Sequence, residues 1–161
     1  KDSPVRKTSL NRMLPNKFTD AHMKAAEVYS QLSSARRLQV GCVVVKDNTI
    51  IGIGYNGMPS GWDNTCEDEL VVEAEVGEDI ILKTKPEVLH AETNAISKLA
   101  KSTEAGEGAT MFCTHAPCID CAKLIYQSGI KQVYYKHRYR STAGIEFLEK
   151  CNIDVKQVCP S

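Results

Sequence analysis

Thr110-Met111-Phe112-Cys113-Thr114-His115-Ala116-Pro117-Cys118-Ile119-Asp120-Cys121-Ala122-Lys123-Leu124-Ile125-Tyr126-Gln127-Ser128-Gly129-Ile130 is the stretch on whose reading the fold turns. Thr110–Thr114 reads as a strand, and Pro117 suits the first turn of a helix, where a missing N–H costs nothing. The helix runs to about Ser128, and Gly129 supplies a left-handed stop. Ile130–Lys136 reads as the next strand. Strand, helix and strand in this order imply a parallel pair joined by a right-handed crossover. Working outward, Thr142–Lys150 reads as a further helix and Asn152–Val158 as a last strand. Upstream, Val40–Val45 is short, apolar and β-branched. Lys46-Asp47-Asn48 is a turn signal, and Thr49–Tyr55 completes a hairpin. Phe18, His22, Ala25, Tyr29 and Leu32 recur at steps of three and four and predict a helix over 18–34. Pro86 precedes a helix of about 87–101, with Ala95, Ile96, Leu99 and Ala100 on its buried side. The order α-β-β-α-β-α-β-α-β predicts an α/β fold, a three-layer α/β/α sandwich around a five-stranded mixed sheet.

The chain has 161 residues, enough for one ordinary domain and short for two. Residues 1–16 hold two prolines and no apolar period, and read as an N-terminal arm. A single domain is expected over 17–161. Residues 62–86 read as a surface insert, a loop or small hairpin, whose acidic run 67–79 is most simply a solvated loop. Twenty Lys+Arg balance twenty Asp+Glu, so the chain-wide basic field of a nucleic-acid grip is absent. The longest apolar runs, Val43–Val45 and Ile50-Ile51, fall far below a membrane span. No nucleic acid and no membrane are therefore expected as partners. The first seventeen residues lack the apolar core of a signal peptide, and seven cysteines fit a disulfide framework poorly. A reducing, cytoplasmic setting is the expectation, where cysteines bind metal or pack.

Cys118 and Cys121 are spaced i, i+3 at a helix start, which puts both thiols on one face. The partial positive charge of that terminus favours thiolates, the form zinc needs. One Cys-x-x-Cys supplies two ligands only. His90, heading another helix, can be the third. Glu92 follows at i+2, off that face, and can reach the open side of the metal. Three protein ligands and one open position make a catalytic arrangement, in which the pKa of a bound water falls towards ~7. A neighbouring carboxylate can take up that proton. His-x-Glu together with Pro-Cys-x-x-Cys is the signature of the zinc deaminases of nucleobases.

With these residues the chain closely resembles the deoxycytidylate (dCMP) deaminases of the cytidine/deoxycytidylate deaminase superfamily. The segments that carry the resemblance are Gly54-Tyr55-Asn56-Gly57-Met58-Pro59, His90-Ala91-Glu92-Thr93-Asn94-Ala95-Ile96, and Pro117-Cys118-Ile119-Asp120-Cys121 with Gly129-Ile130. It spans residues 17–158. The first segment points to the dCMP branch, the other two to the superfamily, and the compact size is similar to phage-encoded and bacterial members. The resemblance implies a cytidine deaminase-like fold and one catalytic Zn²⁺ on His90, Cys118 and Cys121. It also implies hydrolysis of dCMP to dUMP and ammonia, with zinc hydroxide attacking C4 and Glu92 moving protons to N3 and to the departing amine. Asn56 would hold the sugar 3′-hydroxyl. The backbones of Ala91 and of Thr114, His115 and Ala116 would hold the base edge.

Arg36, Arg37, Lys136, His137, Arg138 and Arg140 are candidates for the 5′-phosphate. Arg138, with the Tyr139 hydroxyl, is favoured because its segment follows a strand end, where α/β ligand clefts lie. The resemblance further implies dUMP supply for thymidylate synthesis and a homohexamer, in the host cytoplasm if phage-encoded. It also implies activation by dCTP with Mg²⁺ and inhibition by dTTP, with Tyr55, Gly57, Met58 and Pro59 near the effector. Some relatives carry a second zinc in the insert. Here the insert offers Cys66 and no histidine, so a second zinc is not expected.

Other readings compete with these. Cys118 and Cys121 alone could be a redox or structural pair, Glu92 a first-turn carboxylate meeting the helix dipole, and Asn56 ordinary turn chemistry between glycines. Cys42 and Cys113 read as core, Cys151 and Cys159 as packed or idle, and His22 as half-buried. A deaminase acting on tRNA adenosine or single-stranded DNA cytosine is a second function, weakened by the neutral charge and by aromatics at 6%. A non-catalytic zinc-binding module is a third, disfavoured by the lone Cys-x-x-Cys and by Glu92.

Overall fold

The computed structural model describes residues 16–158, so residues 1–15 of the expected arm, and Cys159, lie outside the described residues. Eleven elements follow in order. They are α1 (Asn16–Ser30), β1 (Gly41–Lys46), β2 (Thr49–Tyr55), β3 (Glu67–Glu73), β4 (Glu78–Thr84), α2 (Ala91–Ala100), β5 (Thr110–His115), α3 (Ile119–Gln127), β6 (Gln132–His137), α4 (Ala143–Lys150) and β7 (Asp154–Gln157). Five strands form one sheet in the order β2-β1-β5-β6-β7. β1 pairs antiparallel with both β2 and β5, and β5, β6 and β7 run parallel. The sheet is mixed, as the sequence predicts. Asp47 and Asn48, both with positive φ, turn β1 into β2, the backbone that a two-residue hairpin of matching twist requires.

Successive residues of the central strands point to opposite faces, and the two faces carry two cores. Cys42, Val44, Met111, Cys113 and Val133 pack with Ala91, Ala95 and Leu99 of α2, Ala122 and Ile125 of α3, and Leu148 of α4. Val43, Val45, Phe112 and Tyr134 pack with Met23 and Ala26 of α1. These are the three layers. Two glycines set how closely helices approach the site region. A Cβ on Gly54 would overlap the Ala91 carbonyl at the start of α2, and one on Gly144 would overlap the Pro117 carbonyl before α3.

Several boundaries differ from expectation for physical reasons. The first helix ends at Ser30, not 34. Gln31, Leu32 and Ser33 donate to carbonyls three residues back, tightening the turn and leaving Leu32 60% exposed rather than on the buried seam. The second helix starts at Ala91, not near 87, because Leu89 is held in extended pairing with Gly57. Pro117 precedes α3 instead of sitting inside it, and Gly129 has the expected left-handed φ of 81°. His22 is more buried than expected, bonded to Asn48 Oδ1 at 3.0 Å and packed on Phe112. The insert is a two-stranded hairpin, β3 on β4, outside the main sheet. Among the described residues no helix is long and apolar enough to cross a membrane.

Candidate active site

The carboxyl ends of β2, β5 and β6 and the first residues of α2 and α3 come together, the usual position of an α/β ligand cleft. A cavity of about 540 Å³ opens there, lined among others by Asn56, His90, Glu92, His115, Cys118 and Arg138. His90 is the residue capping α2 and Cys118 the residue capping α3, both with extended backbone. Cys121 lies one turn on, buried. His90 Nδ1 stands 3.5 Å from Cys118 Sγ and 3.3 Å from Cys121 Sγ. All three ligand atoms lie within 4.8 Å of one another, the one such three-residue cluster among the described residues. Zinc at ~2.0 Å from nitrogen and ~2.3 Å from sulfur in tetrahedral geometry requires an N···S separation of about 3.5 Å. The three side chains fit that ion.

The electrostatics agree with the geometry. Hydrogen bonds from Cys121 and His90 hold the Cys118 thiol down at about 4, and the Cys118 thiolate in turn raises His90. Cys121 is raised because it donates to Cys118 and is buried, so the pair gives up its first proton readily from Cys118. Glu92 is 4% exposed, and burial raises its carboxyl above the ordinary carboxylate range, opposed by its own backbone N–H and by His90. A carboxyl raised this way holds a proton more readily than an exposed one, which suits a proton carrier.

The other expected site residues separate. His115, Ala116, Arg138, Tyr139 and Asn56 line the cavity. Ala91 and Thr114 are buried behind its wall. The Ala91 carbonyl accepts the Cys42 thiol at 3.2 Å, and Thr114 Oγ1 accepts the Gly41 N–H at 3.1 Å while bonding His115 Nδ1 at 2.9 Å. Burial, and then the charge of His137, hold His115 below its ordinary range. Asn56 has work in the fold itself. Its Oδ1 accepts the Val40 N–H and its Nδ2 donates to the Leu38 carbonyl, each at 2.8 Å. Tyr55, Gly57, Met58 and Pro59 line a second cavity of about 470 Å³ with Ser34, Asn94 and Lys98, and Asn56 borders both.

Of the six basic candidates, Arg37, His137, Arg138 and Arg140 line the large cavity. Arg36 and Lys136 do not; they are ion-paired with Glu69 (2.6 Å) and Glu27. Glu67 is a correction. Expected in a solvated acidic loop, it is 5% exposed and lines the cavity, its Oε1 accepting the backbone N–H groups of Arg36 and Arg37. Nothing in the acidic run distinguishes it from its neighbours.

Residues 16–137 match the family model of the cytidine and deoxycytidylate deaminase zinc-binding region. The chain belongs to this family. Its deaminase relatives include a deoxycytidylate deaminase of Mus musculus, 41% identical over 114 residues, covering 70% of this chain and 61% of that protein. The chain thus spans about three fifths of the length of that curated relative. A deoxycytidylate deaminase of Enterobacteria phage T4 is 35% identical over 151 residues, covering 73% of this chain and 76% of the phage protein. A crystal structure of a dCMP deaminase from the cyanophage S-TIM5, in complex with dCMP and dUMP, superposes with a TM-score of 0.79 at 44% identity. It covers 90% of this chain and 99% of that one. The remaining described cysteines of the chain serve other ends. Cys42 and Cys113 face each other across β1 and β5, fully buried, and Cys151 is partly buried. Cys66 is buried with its sulfur 3.4 Å from Ser34 Oγ and belongs to no metal cluster among the described residues.

Proposed function

We propose that the chain is a zinc-dependent dCMP deaminase, hydrolysing dCMP to dUMP and ammonia. The observation that carries this reading is one cavity lined by His90 and Cys118 of the His90–Cys118–Cys121 cluster, by the buried Glu92 and by three arginines. Zinc, when bound by these three residues, supplies an activated water for attack on C4 of cytosine. Glu92 takes one proton from the attacking water and delivers it to N3, then takes the remaining hydroxyl proton and delivers it to the amine, so that C4 ends as a carbonyl and the amine leaves as ammonia. His115 and the Ala116 backbone border the base, with Ala91 and Thr114 supporting that wall from behind. Asn56 borders the sugar, with one amide N–H and one oxygen lone pair beyond its bonds to Leu38 and Val40. Arg138 and Tyr139 offer donors to the 5′-phosphate.

Several finer points rest on the resemblance. The dUMP would feed thymidylate synthesis in the cytoplasm, the host's if the chain is phage-encoded. The enzyme would be a homohexamer, activated by dCTP with Mg²⁺ and inhibited by dTTP. The second cavity, beside Tyr55, Gly57, Met58 and Pro59, offers a place for such an effector.

The test is zinc per chain by atomic absorption and ammonia release from dCMP, deoxycytidine, CMP and a stem-loop RNA, with Glu92→Ala as control. One zinc per chain and turnover of dCMP above the other substrates, lost in Glu92→Ala, is the expected result. A zinc-loaded protein inert on every monomer overturns the reading, and turnover of the RNA alone moves the chain to the nucleic-acid deaminases.

A further inference from the structure

The β3–β4 hairpin has no part in the chemistry above, yet it is bonded to the cavity wall. Glu67 opens β3, and its Oε1 accepts the backbone N–H groups of Arg36 at 2.9 Å and Arg37 at 3.1 Å. Two successive N–H groups converging on one acceptor form a concavity that holds an anion, here filled by the chain's own carboxylate. Thr84, the register partner of Glu67 across the hairpin, accepts a hydrogen bond from Arg37 Nη1 at 3.0 Å. Arg36 pairs with Glu69 on the same strand. The hairpin therefore sorts two adjacent arginines. Arg36 is neutralised on the surface, while Arg37 lines the cavity together with Glu67, Thr84, Glu92 and His90. Among the described residues Arg37 forms no ion pair, and Thr84 occupies only part of its five-donor fork.

We infer that Arg37 reads the 5′-phosphate of the substrate beside Arg138, and that Glu67 is the positioning residue that places it. The β3–β4 hairpin thereby sets the preference for a nucleotide over a nucleoside. This rests on the dCMP reading. Arginine suits the role because its fork matches two phosphate oxygens. A bare carboxylate at this spot would repel the substrate phosphate, but the two N–H groups offset its charge while it holds the 36–37 backbone. Without that acceptor the loop must be ordered at each binding event, and the loss falls on the substrate that carries the phosphate.

The experiment compares kcat and KM on dCMP and on deoxycytidine for the native enzyme, Glu67→Ala, Glu67→Gln, Arg37→Ala and the double alanine variant. If deoxycytidine turnover is too slow to follow, its inhibition constant against dCMP serves instead. Glu67→Ala and Arg37→Ala each lower the preference for dCMP roughly 10–100-fold, mainly through KM for dCMP. The double variant is no worse than Arg37→Ala, because the two residues act on one contact. Glu67→Gln keeps an oxygen acceptor for both N–H groups and holds the preference within about threefold of native. If the alanine variant does not fold, Glu67→Asp, which withdraws the acceptor by one methylene, takes its place. Equal fractional losses on both substrates, additive losses in the double variant, or an unchanged preference overturn this inference alone. Native enzyme without turnover of dCMP overturns the functional reading and this inference with it.

Discussion

One part of the cavity lining consists of helix ends, and another of loops. His90 and Cys118 cap α2 and α3, and Glu92 and Cys121 stand in the first turns of these helices, whose buried faces pack into the core through Ala91, Ala95, Ala122 and Ile125. Arg37, Arg138, Tyr139 and Arg140 lie in the segments after α1 and after β6, where the backbone pairs little. The two groups answer different physical demands. Three ligand atoms must sit within a few tenths of an ångström of tetrahedral geometry, and helix termini locked by a packed core hold such tolerances. A phosphate would be recognised through charge, which falls off slowly with distance, so loop side chains tolerate a wider spread of positions than metal ligands do.

Substitutions can break or sharpen this contrast. The largest effect belongs to the buried group. Glu92→Gln leaves the zinc ligands intact but cannot carry a proton, so kcat on dCMP falls by ~10²–10⁴ while zinc per chain stays at one. Gly54→Ala probes the support behind that group. The added methyl drives into the Ala91 carbonyl, costs about 1–3 kcal/mol, and lowers the melting temperature by roughly 2–10 °C in a thermal scan. It also lowers kcat, because α2 carries His90 and Glu92. Arg138→Ala, in the loop group, raises KM for dCMP roughly 10–100-fold with little change in kcat or melting temperature. A large kcat effect from Arg138→Ala, or a pure KM effect from Gly54→Ala, would erase the division.

The smallest effect concerns His115, which stands between the groups. Its folded-state pKa lies below the unfolded value, so below about 6.5 the unfolded chain takes up the proton first. The unfolded state then binds more protons, and stability falls as pH falls through that window. The melting temperature should drop between pH 7 and pH 5.5, and His115→Gln should flatten the drop.

The contrast also explains what was legible in the chain. The ligand set rests on local signals: Cys118 and Cys121 one turn apart, a proline before them, a histidine two residues from a glutamate. Each depends on neighbours within a few positions, and the structure brings all four together. The helix termini behave likewise, with Gly129 ending α3 where a left-handed residue was expected. Leu32 escaped because the end of α1 tightens to three-residue hydrogen bonding, which a fixed period cannot foresee. Arg36 and Arg37 are indistinguishable as letters; an ion pair with Glu69 and a hydrogen bond to Thr84 separate them. Asn56 read as a turn residue or a sugar contact, and the fold uses its amide to fasten Leu38 and Val40.

The sequence by itself determined the α/β class, the strand and helix order of the main sheet, and the His90, Cys118 and Cys121 cluster with Glu92 beside it. All of these follow from periodicity, termini and spacing within short segments. Tertiary structure alone decided which cations reach the cavity, that Glu67 is buried beside them, and that the insert is hydrogen-bonded to the Arg36–Arg37 segment of the cavity wall. Those facts depend on contacts between residues some thirty to fifty positions apart, such as Arg36 with Glu67 and Arg37 with Thr84. No local pattern encodes such pairings, because they form only once the sheet and its two helical layers have brought the segments together.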